Sequence, residues 1–202
     1  MPLSHCQYWI FDLDGTLTVA VHDFDAIRKQ LGLPAGALIL EALNSLPAQQ
    51  AEQILQRLNE IEWQLARKAQ PQPGVHELLA YLAAHGRQMG ILTRNSAAIA
   101  KETLQVCGLA HYFSEDHIIG RELCTPKPDP GGVSYLLDQW RATRSNTVMV
   151  GDYLFDMQAG HGAGVMTVHF DHSGEFAWPE FTDVKVTTLM QLMQLCQADR
   201  NV

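Results

Sequence analysis

Tyr8-Trp9-Ile10-Phe11-Asp12-Leu13-Asp14-Gly15-Thr16-Leu17 is a short apolar run, partly aromatic, that passes straight into two acids and a Gly-Thr turn signal. It reads as a buried strand over Tyr8 to Leu13 that ends in a loop. Similar runs recur at Gln88 to Thr93, Thr147 to Gly151 and Met166 to Phe170, with helical patterns between them. Strands alternating with helices predict βαβ units, and so an α/β fold with a mostly parallel sheet. In such sheets ligands bind beyond the carboxyl ends of the strands, which is where Asp12 and Asp14 fall. An extended backbone points both side chains the same way, and Gly15-Thr16 lets the chain turn and offer N–H donors to an anion. Alone, the pair reads equally well as a solvated polar strand end.

The helices are marked by their punctuation. Pro73-Gly74 opens one in which Val75, Leu78, Leu79 and Leu82 share a face, and Gly86 closes it. Ser96 is an N-cap for a second that ends near Gly108. Pro130 starts a third carrying Val133, Leu136, Leu137 and Trp140, and Leu189, Leu192 and Met193 predict a fourth. Between Leu17 and Pro71 the alternation breaks. Ala48 to Ala69 has Ile54, Leu55, Leu58, Ile61, Glu62 and Leu65 at helical spacing, and no strand is evident nearby. This stretch reads as a helical insertion from the first strand's loop, the alternative being further helices packed on the sheet.

A second acidic pair adds weight to the first. Val148-Met149-Val150-Gly151-Asp152 is another apolar strand ending in an acid, and Asp156 follows within the first turn of a helix if one begins after Asp152. Carboxylates converging on one sheet edge repel one another and raise each other's pKa values unless a cation neutralises them. An all-oxygen set suits Mg²⁺, which is often shared with a substrate phosphate. Thr93, at the end of its strand, leads into Arg94, Asn95 and Ser96, a polar cluster at a helix N-terminus able to bind an anion. Lys127 lies between prolines in Thr125-Pro126-Lys127-Pro128-Asp129-Pro130, which restricts its backbone and suits a positioned cation.

Composition sets the outer bounds. With 202 residues, 47% of them hydrophobic, the chain can bury one good core and carry a small accessory domain. A formal charge of -8 argues against nucleic-acid and anionic-membrane partners, which need a basic footprint. No secretory pattern or membrane-length apolar run is visible, and Cys6, Cys107, Cys124 and Cys196 lack metal-site spacing, so a reduced, cytoplasmic setting is expected. No heptad or outlying apolar stripe specifies an oligomeric state.

Taken in order, Asp12-Leu13-Asp14-Gly15-Thr16, Thr93, Lys127 in Lys-Pro-Asp-Pro, and Gly151-Asp152 with Asp156 resemble the four motifs of the haloacid dehalogenase superfamily. The insert resembles the helical cap of its phosphoglycolate phosphatase-like branch, although shorter. The resemblance implies a Rossmann-like, three-layer α/β/α parallel sheet. Residues 1–17 and 72–202 would form the core domain and 18–71 a small helical cap. It implies a Mg²⁺-dependent phosphatase acting on a small phosphorylated metabolite, whether phosphoglycolate-like, a sugar phosphate or a nucleotide. By the same resemblance Asp12 is the nucleophile and Asp14 the general acid and base. Asp12, Asp14 through its backbone carbonyl, Asp152 and Asp156 would hold the metal. Gly15, Thr16, Thr93, Arg94, Asn95 and Lys127 would serve the phosphoryl group. Rival readings are a phosphomutase, in which a second substrate hydroxyl replaces water, a carbon–halogen hydrolase, and a non-catalytic phosphometabolite-binding protein.

Other residues receive plainer readings. His22, Asp23 and Asp25 could touch substrate, but a solvated helix start with an acidic N-cap accounts for them. His169, Asp171 and His172 lack a further ligand and read as loop residues. Trp63 reads as core, and Phe176 and Trp178 as packing on the sheet.

Overall fold

The computed structural model describes residues 3–198; residues 1–2 and 199–202, which the expected core domain includes, lie outside the described residues. All four predicted strands form: β1 (Tyr8–Phe11), β2 (Gln88–Leu92), β4 (Thr147–Gly151) and β5 (Met166–Phe170). Two short ones escaped the sequence reading, β3 (Ile118–Ile119) and β6 (Val184–Val186), both too brief to show a period. Together they make a six-stranded, wholly parallel sheet in the order β3-β2-β1-β4-β5-β6. The middle strand β1 is flanked by β2 and β4, so the chain leaves it in opposite directions and a crevice opens beyond its carboxyl end.

Trp9, Ile10 and Phe11 are all fully buried, as expected of a parallel strand covered on both faces. Trp9 and Phe11 join one core with α4 (Val75–Ala84), α5 (Ala97–Val106) and α8 (Leu189–Ala198). Ile10 joins the opposite core with α6 (Gly131–Trp140) and α7 (Leu154–Ala163). The Ser96 hydroxyl caps α5 by accepting from the Ile99 N–H at 3.3 Å.

The stretch after Leu17 forms α1 (Phe24–Leu31), α2 (Ile39–Leu43) and α3 (Ala48–Ala66). They gather around their own apolar cluster of Ile27, Leu31, Leu43, Ile54 and Leu58, and α3 also packs on α5. The chain leaves and re-enters the sheet side by side: Val19 N–H donates to Gln70 O and Gln72 N–H to Leu17 O, both at 2.9 Å.

Candidate active site

β1 ends at Phe11, one residue before the first acid, and the Asp12 N–H still bonds to Val150 O at 2.9 Å. That bond ties Asp12 to the neighbouring strand, whose own end carries Asp152. Gly15 then turns the chain at φ 94°, a left-handed conformation that disfavours any side chain, and a Cβ there would strike the Asp152 carboxylate. Gly151 makes room in the same way for Asp156. Asp156 enters from the first turn of α7, where one of its oxygens accepts from the Tyr153 N–H at 3.0 Å. The carboxylates of Asp12, Asp152 and Asp156 consequently bring oxygens within 4.8 Å of one another.

Lys127 lies among them, almost completely buried, and donates at 2.5 Å to both Asp12 Oδ1 and Asp156 Oδ1. Burial alone would lower its pKa, but the two carboxylates outweigh that and hold it above the usual lysine value. The acids respond in the opposite sense. Burial first, then the charges of Asp12 and Glu62, pushes Asp14 up to about 7, against the pull of Lys127 and Asn95. Burial and the Asp12 charge push Asp156 up to about 6, and burial with the Asp12 and Asp156 charges raises Asp152 well above the ordinary range. One buried ammonium therefore does not discharge this group of carboxylates. The crowded, oxygen-only donor set fits a hard divalent cation, and Asp12, Asp152 and Asp156 are the side chains that could hold it.

The remaining predicted residues are arranged around this group in different ways. Thr93 is buried, and its hydroxyl accepts from the Asn95 N–H at 3.1 Å. Asn95 Nδ2 donates to Asp14 Oδ2 at 2.6 Å, so its side chain serves the acid before any anion. Gly15 and Thr16 lie behind the carboxylates, and the Thr16 hydroxyl donates to Asp152 Oδ1 at 2.8 Å. Arg94 lies over the Phe155 ring at 4.8 Å, grips both Glu41 oxygens at 2.8 Å and donates to the Lys127 carbonyl. Asp14, Thr93, Arg94, Asn95 and Lys127 all face one cavity of about 350 Å³ between the sheet edge and α1–α3.

Residues beyond the motifs complete the site. Arg121 holds Glu62 of α3 through two bonds of 3.0 and 2.8 Å and Asn59 through one of 2.5 Å, with both charged side chains 9% exposed. The signal for it was present, since Glu62 sits in the apolar stripe of α3, where a carboxylate needs a cationic partner. Asp23 does cap α1, accepting from the Ala26 N–H at 2.9 Å. His22 departs from the expected solvated helix start: its side chain is only 10% exposed, lines the cavity 4.0 Å from Asp14, and burial lowers its pKa. His169 is likewise no loop residue. It is a buried part of β5, stacked on Trp178, because its pairing with Gly151 on β4 draws it inside. Trp63 is half-buried beneath the Arg67 guanidinium, outside the main apolar clusters.

The Arg121–Glu62 pair ties the α3 helix to the sheet side. Arg121→Met is expected to cost about 2 kcal/mol in urea denaturation, since it strands Glu62, and much less when combined with Glu62→Met. An additive cycle would show that the pair carries no coupling.

A parallel α/β sheet with carboxylates gathered round a buried lysine at its switch point defines an enzyme whose site is built for a cation and an anion together. Residues 9–170 match the haloacid dehalogenase-like hydrolase family, and the chain belongs to it. It is 29% identical over 202 residues to an uncharacterised hydrolase of Saccharomyces cerevisiae, covering 96% of this chain and 93% of that one. It is 30% identical over 191 residues to a phosphoglycolate phosphatase of Neisseria meningitidis, covering 82% of this chain and 80% of that one. The structure of a hydrolase from Pseudomonas syringae superposes with a TM-score of 0.77 at 22% identity, covering 96% of this chain and 98% of that one, which speaks to the fold.

Proposed function

We infer that this hydrolase is a Mg²⁺-dependent phosphatase of small phosphorylated metabolites, working through an acyl phosphate on Asp12. The observation that carries the reading is Lys127, buried and bonded at once to Asp12 and Asp156 at the edge of a cavity large enough for a small ligand. In this reading residues 18–71 act as a cap over a core formed by the rest of the chain. A divalent cation held by Asp12, Asp152, Asp156 and the Asp14 carbonyl would neutralise the phosphoryl oxygens and orient them.

The chain's own groups supply the rest. Asp12 provides the carboxylate oxygen that attacks phosphorus. Asp14, with a pKa of about 7, can carry a proton near neutrality, give it to the departing alkoxide and later take one from the water that frees phosphate. Lys127 and the Thr93 hydroxyl, whose proton is left to donate, hold the phosphoryl oxygens, while α1–α3 exclude water. No helix among the described residues is long and apolar enough to cross a membrane, and with the thiols of Cys6, Cys107 and Cys124 outside any disulfide a cytoplasmic enzyme is the setting we propose.

The test is release of inorganic phosphate from a panel of phosphorylated metabolites with Mg²⁺ and with EDTA. Turnover confined to the Mg²⁺ arm is expected; EDTA-insensitive turnover, or none at all, would sink the reading.

A thermal measurement follows the cation without needing a substrate. The pKa values of Asp14, Asp152 and Asp156 are all raised on folding. Without metal, the stability from their protonation is full below about pH 4 and is lost as the pH rises through about 6 to 7. His22, His117 and His169, whose pKa values burial lowers, contribute an opposite slope that is common to both conditions. The difference in Tm with and without Mg²⁺ isolates the acids. It is expected to be small at pH 5 and to grow by pH 8, where the ionised carboxylates bind the ion. A Mg²⁺ effect that shrinks with rising pH would contradict the assigned ligands.

A further inference from the structure

The cavity over the acids offers a leaving group little charge to hold. Its wall carries the permanent cations Arg28, Arg94, Arg121 and Lys127, and every one is already paired with protein carboxylates. Arg28 bonds Asp25 at 2.6 Å, Arg94 grips Glu41, Arg121 grips Glu62, and Lys127 holds Asp12 and Asp156. His22, the remaining basic group on the wall, already faces the Asp14 carboxylate at 4.0 Å. A substrate with a second anionic group would have to compete with these carboxylates for a cation, and the buried Arg121–Glu62 and Lys127 pairs are costly to break.

The same wall is rich in apolar surface. Phe24 and Leu38 from the helical insert and Tyr153 from the sheet side all line the cavity yet remain 54%, 45% and 50% exposed. Ile39, Leu40 and Phe155 line the cavity with them, and the Phe24 ring stacks on His22 with centroids 5.6 Å apart. Large side chains left in water gain by meeting apolar ligand surface. One polar donor is also left over: Arg28 Nε is buried without a hydrogen-bond partner.

We propose that this enzyme selects phosphomonoesters whose leaving alcohol is uncharged and largely apolar, an alkyl or aryl body with at most an isolated hydrogen-bond acceptor. Phe24, Leu38 and Tyr153 are the residues that determine this specificity. The inference rests on the phosphatase reading and narrows it, because it sets phosphoglycolate and polyhydroxylated sugar phosphates below simple alkyl esters. The carboxylate of the former meets cations that already hold protein carboxylates, with only the Arg28 Nε donor left over, and the hydroxyls of the latter meet apolar walls.

The experiment measures kcat/KM for phosphate release from ethyl, butyl and hexyl phosphate in Mg²⁺, with 2-phosphoglycolate and glucose 6-phosphate as charged and polyhydroxylic comparators. The three alkyl esters share nearly the same leaving-group chemistry, so their differences report binding of the chain. The expected result is a rise of roughly two- to fourfold per added methylene, with both comparators below hexyl phosphate. In Phe24→Ser/Leu38→Ser, two exposed positions whose change should spare the fold, the hexyl-to-ethyl ratio is expected to fall about fivefold or more. A flat alkyl series, an unchanged ratio in the variant, or a comparator that outruns hexyl phosphate overturns the specificity and leaves the phosphatase reading standing. Absence of release from every ester overturns both.

Discussion

Asp12→Asn is expected to lower Mg²⁺-dependent phosphate release by roughly 10⁴-fold or more, with the fold retained. The amide has the shape of the carboxylate, and its carbonyl oxygen can still accept from Lys127, which donates at 2.5 Å. What disappears is the nucleophilic oxygen and a formal charge at the centre of the acidic group. That charge contributes to the raised pKa values of Asp14, Asp152 and Asp156, so its removal relieves repulsion. Calorimetry should accordingly find a Tm equal to or above that of the parent protein. Activity within about tenfold of the parent would show that Asp12 is not the nucleophile, since a residue that bonds to phosphorus has no substitute.

How much of this could be read from the chain depends on whether a feature is local. β1 and β4 were legible because burial on both faces makes a continuous apolar run, and the acids that end them, Asp12 and Asp152, came with the pattern. The helices of the sheet layers were legible through caps and stripes such as Ser96 and Val75-Leu78-Leu79-Leu82. β3 and β6 were not, because strands of two and three residues leave no periodicity to detect. Their place in the sheet is set by neighbours distant in sequence.

The same distinction runs through the site. Lys127 stood out through its flanking prolines, but its simultaneous bonds to Asp12 and Asp156 span 115 and 29 residues and had no local trace. Arg94 was expected at an anion and Arg121 was not singled out; the insert folds back and brings Glu41 and Glu62 to them. His22 reads as the solvated start of α1 because its partner, Asp14, lies in a separate turn, and only closure of the cavity buries it. His169 was misread for a related reason: its place inside the sheet follows from pairing with β4 rather than from its polar neighbours Asp171 and His172. Thr16 was expected at an anion, yet its hydroxyl serves Asp152, a contact across 136 residues.

Lys127→Met is expected to damage both activity and stability, and the two losses should respond differently to pH. Activity should fall about 10³-fold, since a fixed cation is lost from the place where phosphoryl charge is held. Removing the ammonium also leaves Asp12 and the 2% exposed Asp156 side chain with no countercharge, at a cost of about 3 to 5 kcal/mol near pH 8. The pKa of Asp156 is about 6 with Lys127 opposing the rise, so in the variant it climbs further. A carboxylate whose pKa is raised on folding stabilises the folded chain when protonated, and that contribution is lost as the pH rises through its folded pKa. The metal-free variant should therefore recover much of its deficit on moving from pH 8 to pH 5.5, as followed by urea denaturation beside the parent. Lys127→Arg keeps the charge and should restore stability at pH 8 better than it restores turnover, because a planar guanidinium cannot occupy the position of an ammonium held between two carboxylates. A deficit in Lys127→Met that is absent at pH 8, or that deepens on acidification, would mean that the buried carboxylates do not depend on this lysine for their charge balance.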